Sequence, residues 1–200
     1  YDLNLVLPEP LLPRNRRYVV AERVDARGAV LVPLDRAEVE NLVDELAAAG
    51  YDSVAVGLLH AYANEAHERL VAEVLAERMP GAMVSLSSRV SPQMREYERF
   101  NTTIANAYIK PLMASYLGRL KDRLSAAGAD CPVYLMHSGG GIMALEAAAE
   151  FPVRLVESGP AGGAIFAADL AARHGLDRVL SFDMGGTTAK ICLIRGQTPK

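Results

Sequence analysis

Apolar positions along the chain recur with two periods, and each change of period marks an element. Residues 18–24 and 29–32 are strand-like runs of Val and Leu around Asp25-Ala26-Arg27-Gly28, which reads as a hairpin turn. Asp35 then has the position of a helix N-cap, with Glu38 at capping-box spacing. The helix it opens aligns Val39, Leu42, Val43 and Leu46 on one face and stops at Gly50. Ser53–Leu59 reads as a buried strand. Asn64 caps a second helix, whose inner face is Leu70, Val71, Val74 and Leu75 and whose stop is Pro80-Gly81. Met83–Leu86 is the next strand. Strands alternating with helices in this way predict an α/β layer with parallel pairing.

From Ser91-Pro92 to about Ala127 the period is helical throughout, with Tyr97, Ile104, Tyr108, Leu112, Leu117, Leu120 and Leu124 as the expected apolar stripe. Pro111 inside it lacks an amide hydrogen and is expected to bend the helix near Ala107. Gly128 closes it. A second α/β unit follows: strand Val133–His137, a Gly-rich turn, helix 143–150, strand Val153–Glu157, helix 161–174, and two strands, Val179–Asp183 and Ala189–Arg195. The expected division is therefore 1–91, a connecting helix 92–127, and 128–200. Residues 1–18, with Pro8, Pro10 and Pro13, read as an irregular opening segment.

Composition narrows the classes of function. The chain has 200 residues, half of them apolar, which is enough to bury a core and excludes wholesale disorder. With 21 Lys+Arg against 24 Asp+Glu the net charge is −3, and no basic footprint for nucleic acid exists. Arg14, Arg16 and Arg17 form the one basic cluster, in a Pro-flanked loop that reads as solvated surface. No apolar run has the length of a membrane span. Cys131 and Cys192 are too few for a disulfide framework or a four-ligand zinc site, so a reduced, cytoplasmic setting is expected. The first residue is Tyr, and the chain reads as a segment of a longer protein.

Three glycine turns carry the candidate chemistry. Asp183-Met184-Gly185-Gly186-Thr187-Thr188 lies between two apolar strands. Phosphate binding needs several backbone N–H groups converging on one point, which glycines permit, and the Thr hydroxyls add donors. An Asp at the end of the incoming strand can hold a hydrated Mg²⁺ or orient a water. The bland alternative is a tight structural hairpin. Ser138-Gly139-Gly140-Gly141 with Ala144 satisfies G-x-G-x-x-[GA], and Glu157 follows 18 residues after Gly139, near a dinucleotide fingerprint. The helix between them is short for the crossover that fingerprint requires, and NAD binding is not expected. Ser158-Gly159-Pro160-Ala161-Gly162-Gly163 opens a small-residue helix, either for close packing or as an N-terminus facing phosphate. His60, His67, His137 and His174 lack metal-ligand spacing, and His137 beside the turn is the one kept as a site candidate. Glu96 and Glu98 with Arg95 and Arg99 read as a solvated ion-pair face, and Tyr97, Phe100 and Tyr108 as core.

The run Arg95-Glu96-Tyr97-Glu98-Arg99, then Asn101-Thr102-Thr103 and Asn106-Ala107-Tyr108, resembles the hydantoinase/oxoprolinase family, specifically its A-type subunit. So do the three glycine turns, in the same order. The resemblance covers essentially the whole chain and is most specific from Ser85 to Ile194. It implies a ribonuclease-H-like, actin-like ATPase fold (the actin/sugar-kinase/heat-shock-chaperone group), in which two lobes clamp ATP between phosphate hairpins. Carried over, Gly185, Gly186, Thr187 and Thr188 would contact phosphate together with Gly159 and Gly162, and Asp183 would be the catalytic residue serving Mg²⁺ or water. The implied activity is ATP-dependent hydrolysis of a cyclic amide of hydantoin or 5-oxoproline type, with a B-type subunit or domain as partner. A carboxylase subunit of acetone or acetophenone type is the alternative within the family. An NAD-dependent oxidoreductase and a non-catalytic interaction segment are the alternatives outside it. Many members carry an acidic residue two positions after the second Thr-type residue, where this chain has Ala189-Lys190.

Overall fold

The computed structural model describes residues 8–199. Residues 1–7 of the expected opening segment lie outside the described residues. From Pro8 onward that segment is irregular, with a 3-10 turn at Arg14–Arg16, and Arg14, Arg16 and Arg17 are exposed. The chain forms two compact units, divided after Pro111.

Unit 1 opens on the expected hairpin, β1 (Arg23–Val24) antiparallel to β2 (Val30–Val32), both shorter than the sequence runs. Gly28 turns it with a φ of 86°. In α1 (Arg36–Ala48) the Asp35 carboxylate accepts the Ala37 N–H, while Glu38 reaches instead to the Ala21 N–H, so no reciprocal capping box forms. Gly50 ends it in the left-handed region. β3 (Ser53–Val56) and β4 (Met83–Leu86) pair in parallel across α2 (Ala66–Arg78), as the alternation predicts. The strand expected to run to Leu59 stops at Val56. A Cβ at Gly57 would meet Phe100 Cδ1 at 2.6 Å, so the backbone there is pressed against a ring and turns away. Val39, Val43, Val56, Val71, Val74, Leu75 and Leu86 make the core between α1, α2 and the strands.

The helix expected from Ser91 starts later, as α4 (Glu96–Ala126), and a separate short helix, α3 (Ser87–Val90), precedes it, with Arg95 between them at a φ of 79°. The apolar stripe is also corrected. Tyr97, Tyr108 and Leu112 are exposed, at 79, 85 and 70%. What α4 buries in unit 1 is Arg99, Thr103, Asn106, Ala107 and Lys110, a helical face with one apolar member. The reason lies in what it meets. Arg99 donates to Ser87 Oγ, the Gln93 carbonyl and the Leu58 carbonyl, and lies over the rings of Tyr62 and Phe100. Ser87 Oγ in turn donates to Glu68 Oε1, which also accepts the Leu58 N–H, while Oε2 accepts the Ser88 N–H. Asn106 donates to Ser85 Oγ and Lys110 to the Val84 carbonyl. The surface facing α4 is one of carbonyls and hydroxyls, and only donors satisfy it. Arg99, expected in a solvated face, is 1% exposed.

α4 continues through Pro111. The Ala107 carbonyl, which loses its helical partner because proline has no N–H, accepts from Ser53 Oγ at 2.6 Å.

Unit 2 begins with the rest of α4. Leu117, fully buried, packs with Leu145 and Ala148. β5 (Tyr134–Met136) pairs antiparallel with β6 (Ile142–Ala144), and α5 (Leu145–Glu150) follows. Two expectations fail here. The first two residues of the helix expected at 143–150 belong to strand β6. Val153–Glu157 is not a strand: Pro152–Leu155 is a 3-10 turn, closed by the Arg154 N–H on the Phe151 carbonyl and by Arg154 stacked on the Phe151 ring at 4.9 Å. α6 (Ser158–Arg173) begins three residues before the expected start. β7 (Arg178–Met184) and β8 (Ala189–Arg195) form the long antiparallel hairpin, with β9 (Thr198–Pro199) against β8. Val179, Ser181, Lys190, Cys192 and Ile194 lie on its more buried side. Leu180, Phe182, Met184, Ile191 and Leu193 alternate with them and are exposed.

Arg99→Met should lower unfolding free energy by about 3–5 kcal/mol, because it strands the buried Glu68 carboxylate without a cation. Arg95→Met, at a side chain 79% exposed, should change it by about 0.5 kcal/mol or less. Chemical denaturation followed by circular dichroism measures both, and equal effects would show that the buried relay contributes nothing.

Candidate functional site

The three glycine turns all fall in unit 2, and the structure gives each a different local reason. In the first, the His137 N–H bonds the Gly141 carbonyl at 2.9 Å, and the Gly140 N–H bonds the His137 carbonyl at 2.9 Å. The Gly139 N–H donates to His137 Nδ1 at 3.0 Å, so a neutral imidazole carries its proton on Nε2. Gly140 has a φ of 85°, and a Cβ there would meet Ile165 Cδ1 at 2.8 Å. A Cβ at Gly141 would meet His137 Nε2 at 2.6 Å. Gly140 and Gly141 are thus required by the turn's own packing. The turn joins two antiparallel strands rather than a strand and a helix, so the dinucleotide spacing lies on a geometry that offers no crossover. Glu157 is not at a strand end either, which removes the second half of that fingerprint.

The second turn is the start of α6. Glu157 precedes the helix with a φ of 65°, and Pro160 is its third residue. The N–H groups of Ser158 and Gly159 have no carbonyl behind them within the helix. Gly159 and Gly163 have nothing within 4 Å of a built Cβ, and Gly162 meets only Met136 Cγ at 3.6 Å, an ordinary contact. Among the described residues the small side chains of this first turn are not explained by close packing. An open cleft of about 390 Å³ runs between Ser138, Gly139 and Gly140 of the first turn and Ala161, Ala164 and Ile165 of α6, reaching Pro199.

The third turn closes the β7–β8 hairpin. The Gly185 N–H bonds the Thr188 carbonyl at 3.0 Å, and Asp183, Gly185, Gly186, Thr187 and Thr188 are all exposed. Neither Gly185 nor Gly186 has a positive φ, and among the described residues no neighbour crowds a Cβ at Gly186 and the nearest atom at Gly185 is the Thr188 carbonyl at 4.0 Å. This inverts the logic of the first turn: nothing among the described residues requires glycine here. What glycine provides is bare backbone open to whatever approaches from outside.

A charged pair joins the second and third turns. Lys190 stands opposite Asp183 in the hairpin register, and its ammonium pairs with the Glu157 carboxylate. Lys190 is half-buried on the same side as Asp183, toward the head of α6. The sequence reading gives Glu157 only as the acidic residue of a dinucleotide fingerprint at a strand end, and not this pairing. Its signal was position, directly ahead of a Ser-Gly-Pro helix start. Among the described residues no cluster of three metal-ligating side chains exists, and the four histidines are dispersed. His67 is held by Glu22 at 2.7 Å and by the Leu34 N–H, and Nδ1 of His60 lies 2.8 Å from the Val24 carbonyl.

Comparison with known proteins gives one family for both parts of the chain. The model described as "Hydantoinase/oxoprolinase N-terminal region" matches residues 1–79, and "Hydantoinase/oxoprolinase" matches residues 99–200. An uncharacterised protein of Methanocaldococcus jannaschii is 39% identical over all of this chain and 29% of its own length. Caprolactamase subunit alpha of Pseudomonas jessenii is 31% identical over 98% of this chain and 28% of its own. The chain therefore spans less than a third of these relatives. The crystal structure of the ATP-dependent caprolactamase from P. jessenii superposes with a TM-score of 0.82 at 29% identity, covering 96% of this chain and 28% of that one. Nucleotide-free acetone carboxylase gives 0.83 at 28% identity, covering 95% and 27%. The mixed α/β fold is shared with both.

The contrast between the turns is directly measurable. Gly140→Ala should destabilise the protein by about 1–2 kcal/mol or more, through its positive φ and the contact with Ile165. Gly186→Ala should leave stability within about 0.5 kcal/mol. Thermal denaturation of both variants decides it, and a large loss at Gly186 would make that glycine structural.

Proposed function

The chain belongs to the hydantoinase/oxoprolinase family, and we propose that it is part of an ATP-dependent hydrolase of cyclic amides, contributing one phosphate-binding hairpin of an actin-like ATPase fold. The observation that carries this reading is the turn Gly185-Gly186-Thr187-Thr188, exposed and uncrowded, with an acidic residue at the end of the incoming strand. Backbone amides of Gly185 and Gly186 and the hydroxyls of Thr187 and Thr188 would hold phosphate oxygens, and the open start of α6 at Gly159 and Gly162 would add donors. Asp183, exposed beside the turn, fits a role in holding a hydrated Mg²⁺ or orienting a water. ATP, when bound, supplies the phosphoryl group that turns an amide oxygen into a better leaving group. The residues of this chain orient that group and neutralise its charge with preorganised donors.

The domain reading that goes with this is the end of an N-terminal domain at 1–91, a connecting helix and the start of an ATPase-like domain at 128–200. A B-type subunit or domain would complete the hydrolytic site. A cytoplasmic setting accords with two cysteines outside any disulfide and with the lack, among the described residues, of a helix long and apolar enough to cross a membrane. A carboxylase subunit remains the second reading, favoured by the likeness to acetone carboxylase. Cyclic amides and ketones, offered separately as activators of ATP turnover, separate the two.

Gly186→Val in the full-length protein with its partner should abolish ATP turnover and leave the circular dichroism spectrum unchanged. Asp183→Asn should lower Mg²⁺-dependent turnover about a hundredfold or more while weakening nucleotide binding less, since it removes charge rather than hydrogen bonds to phosphate. Steady-state assay of both variants is the test. Parent-like rates in both would make the hairpin a plain structural turn.

A further inference from the structure

We propose that Lys190 is the phosphate-contacting cation of this site and that Glu157 is its resting counter-ion, which phosphate displaces. The inference rests on the reading of the β7–β8 turn as a phosphate hairpin and goes beyond it. That reading assigns donors but no cationic side chain.

Three observations converge on Lys190. First, it is alone. Between Arg178 and Arg195, which pair with each other at the far end of the hairpin, Lys190 is the only Lys or Arg. From residue 137, at the first glycine turn, to residue 172, through most of α6, the one Lys or Arg is Arg154, whose guanidinium lies over the Phe151 ring. A polyanion approaching the turn of the hairpin would meet Lys190 as the one side chain of fixed positive charge that the hairpin itself carries between its ends. Second, it is near the turn and faces the right side. It lies two residues beyond Thr188, about 7 Å along the strand, within the reach of a lysine side chain. It shares a register pair with Asp183, so both emerge on one side of the hairpin. Third, it is held. Its side chain is 36% exposed and ion-paired to Glu157, whose own side chain is 62% exposed and whose backbone stands at a φ of 65° directly before α6. A left-handed non-glycine residue is an expensive way to begin a helix. What it achieves is to place a carboxylate beside Lys190 while leaving the first amides of α6 uncapped.

The charge arithmetic favours exchange. With Asp183 and Glu157 both flanking one ammonium, the cluster carries a net negative charge that would repel phosphate. Release of Glu157 to solvent leaves Lys190 free to pair with a phosphate oxygen, and the exposure of Glu157 makes that release cheap. A lysine donates as a compact point charge on a flexible stem, which suits a ligand arriving from outside.

The rival account is a structural clasp between the hairpin and α6. It makes a different forecast, because a clasp is lost equally whichever partner is removed. The experiment measures equilibrium binding of ATP with Mg²⁺, and of adenosine, to the full-length protein and its Lys190→Met, Lys190→Arg, Glu157→Gln and Gly186→Val variants. Lys190→Met should weaken ATP about ten- to hundredfold while leaving adenosine unchanged. Lys190→Arg should recover most of the loss. Glu157→Gln should hold or tighten ATP, since it removes a competitor for the ammonium. Matching losses in Lys190→Met and Glu157→Gln would overturn the proposal in favour of the clasp. Parent-like ATP affinity in Lys190→Met with loss in Gly186→Val would also overturn it, leaving the hairpin reading intact. Parent-like affinity in both would sink the hairpin reading itself.

Discussion

Glu68 and Arg99 never touch, yet unit 1 is organised around them. A carboxylate with no exposed surface and a guanidinium 1% exposed are linked through the Ser87 hydroxyl, which accepts from one and donates to the other. Neither charge could be left alone in such a place. Their remaining bonds go to backbone groups: Leu58 twice, once by its N–H and once by its carbonyl, then Ser88 and Gln93. One relay therefore fixes the loop after β3, the whole of α3 and the beginning of α4. The aromatic rings of Tyr62 and Phe100 close over the guanidinium. Phe100 in turn crowds Gly57, where β3 ends.

That arrangement explains what could be read from the chain and what could not. Elements whose burial is apolar were legible. Val39, Val43 and Leu46 announced α1, and Val71, Val74 and Leu75 announced α2, because a helix that buries methyl groups shows it as a period. β3 against β4 followed from the alternation. α4 was legible as a helix but not in orientation. A search for its inner face by apolar residues selects Tyr97, Tyr108 and Leu112, which are outside, and passes over Arg99, Thr103, Asn106 and Lys110, which are inside. The information lay in the partner surface, whose free carbonyls and hydroxyls are created only when the chain has folded.

The site was legible in a different way. Glycine turns show in a sequence, but the reason for a glycine does not. Gly140 and Gly141 are demanded by a φ of 85° and by the His137 ring, whereas Gly186 is demanded by nothing among the described residues. Only coordinates separate a glycine that serves the fold from one that keeps a surface bare. Glu157 was hidden more deeply, because a 3-10 turn of Pro, Val, Arg and Leu has the composition of a strand. Phe151 and Pro152 bend it, through a ring beneath Arg154 and a missing amide.

Pro111 and Ser53 are distant in sequence and inseparable in effect. The proline removes a rung from α4, and the serine hydroxyl takes up the vacated carbonyl of Ala107. A residue with an N–H at position 111 would give that carbonyl a second donor and make the serine dispensable. Loss of the serine while the proline stays leaves the carbonyl with neither. The cost of changing one position is therefore set by the occupant of the other, and substitutions at the two sites cannot add. A drifting sequence crosses this pair at least cost with the proline first, so a single hydrogen bond biases the order of mutational steps.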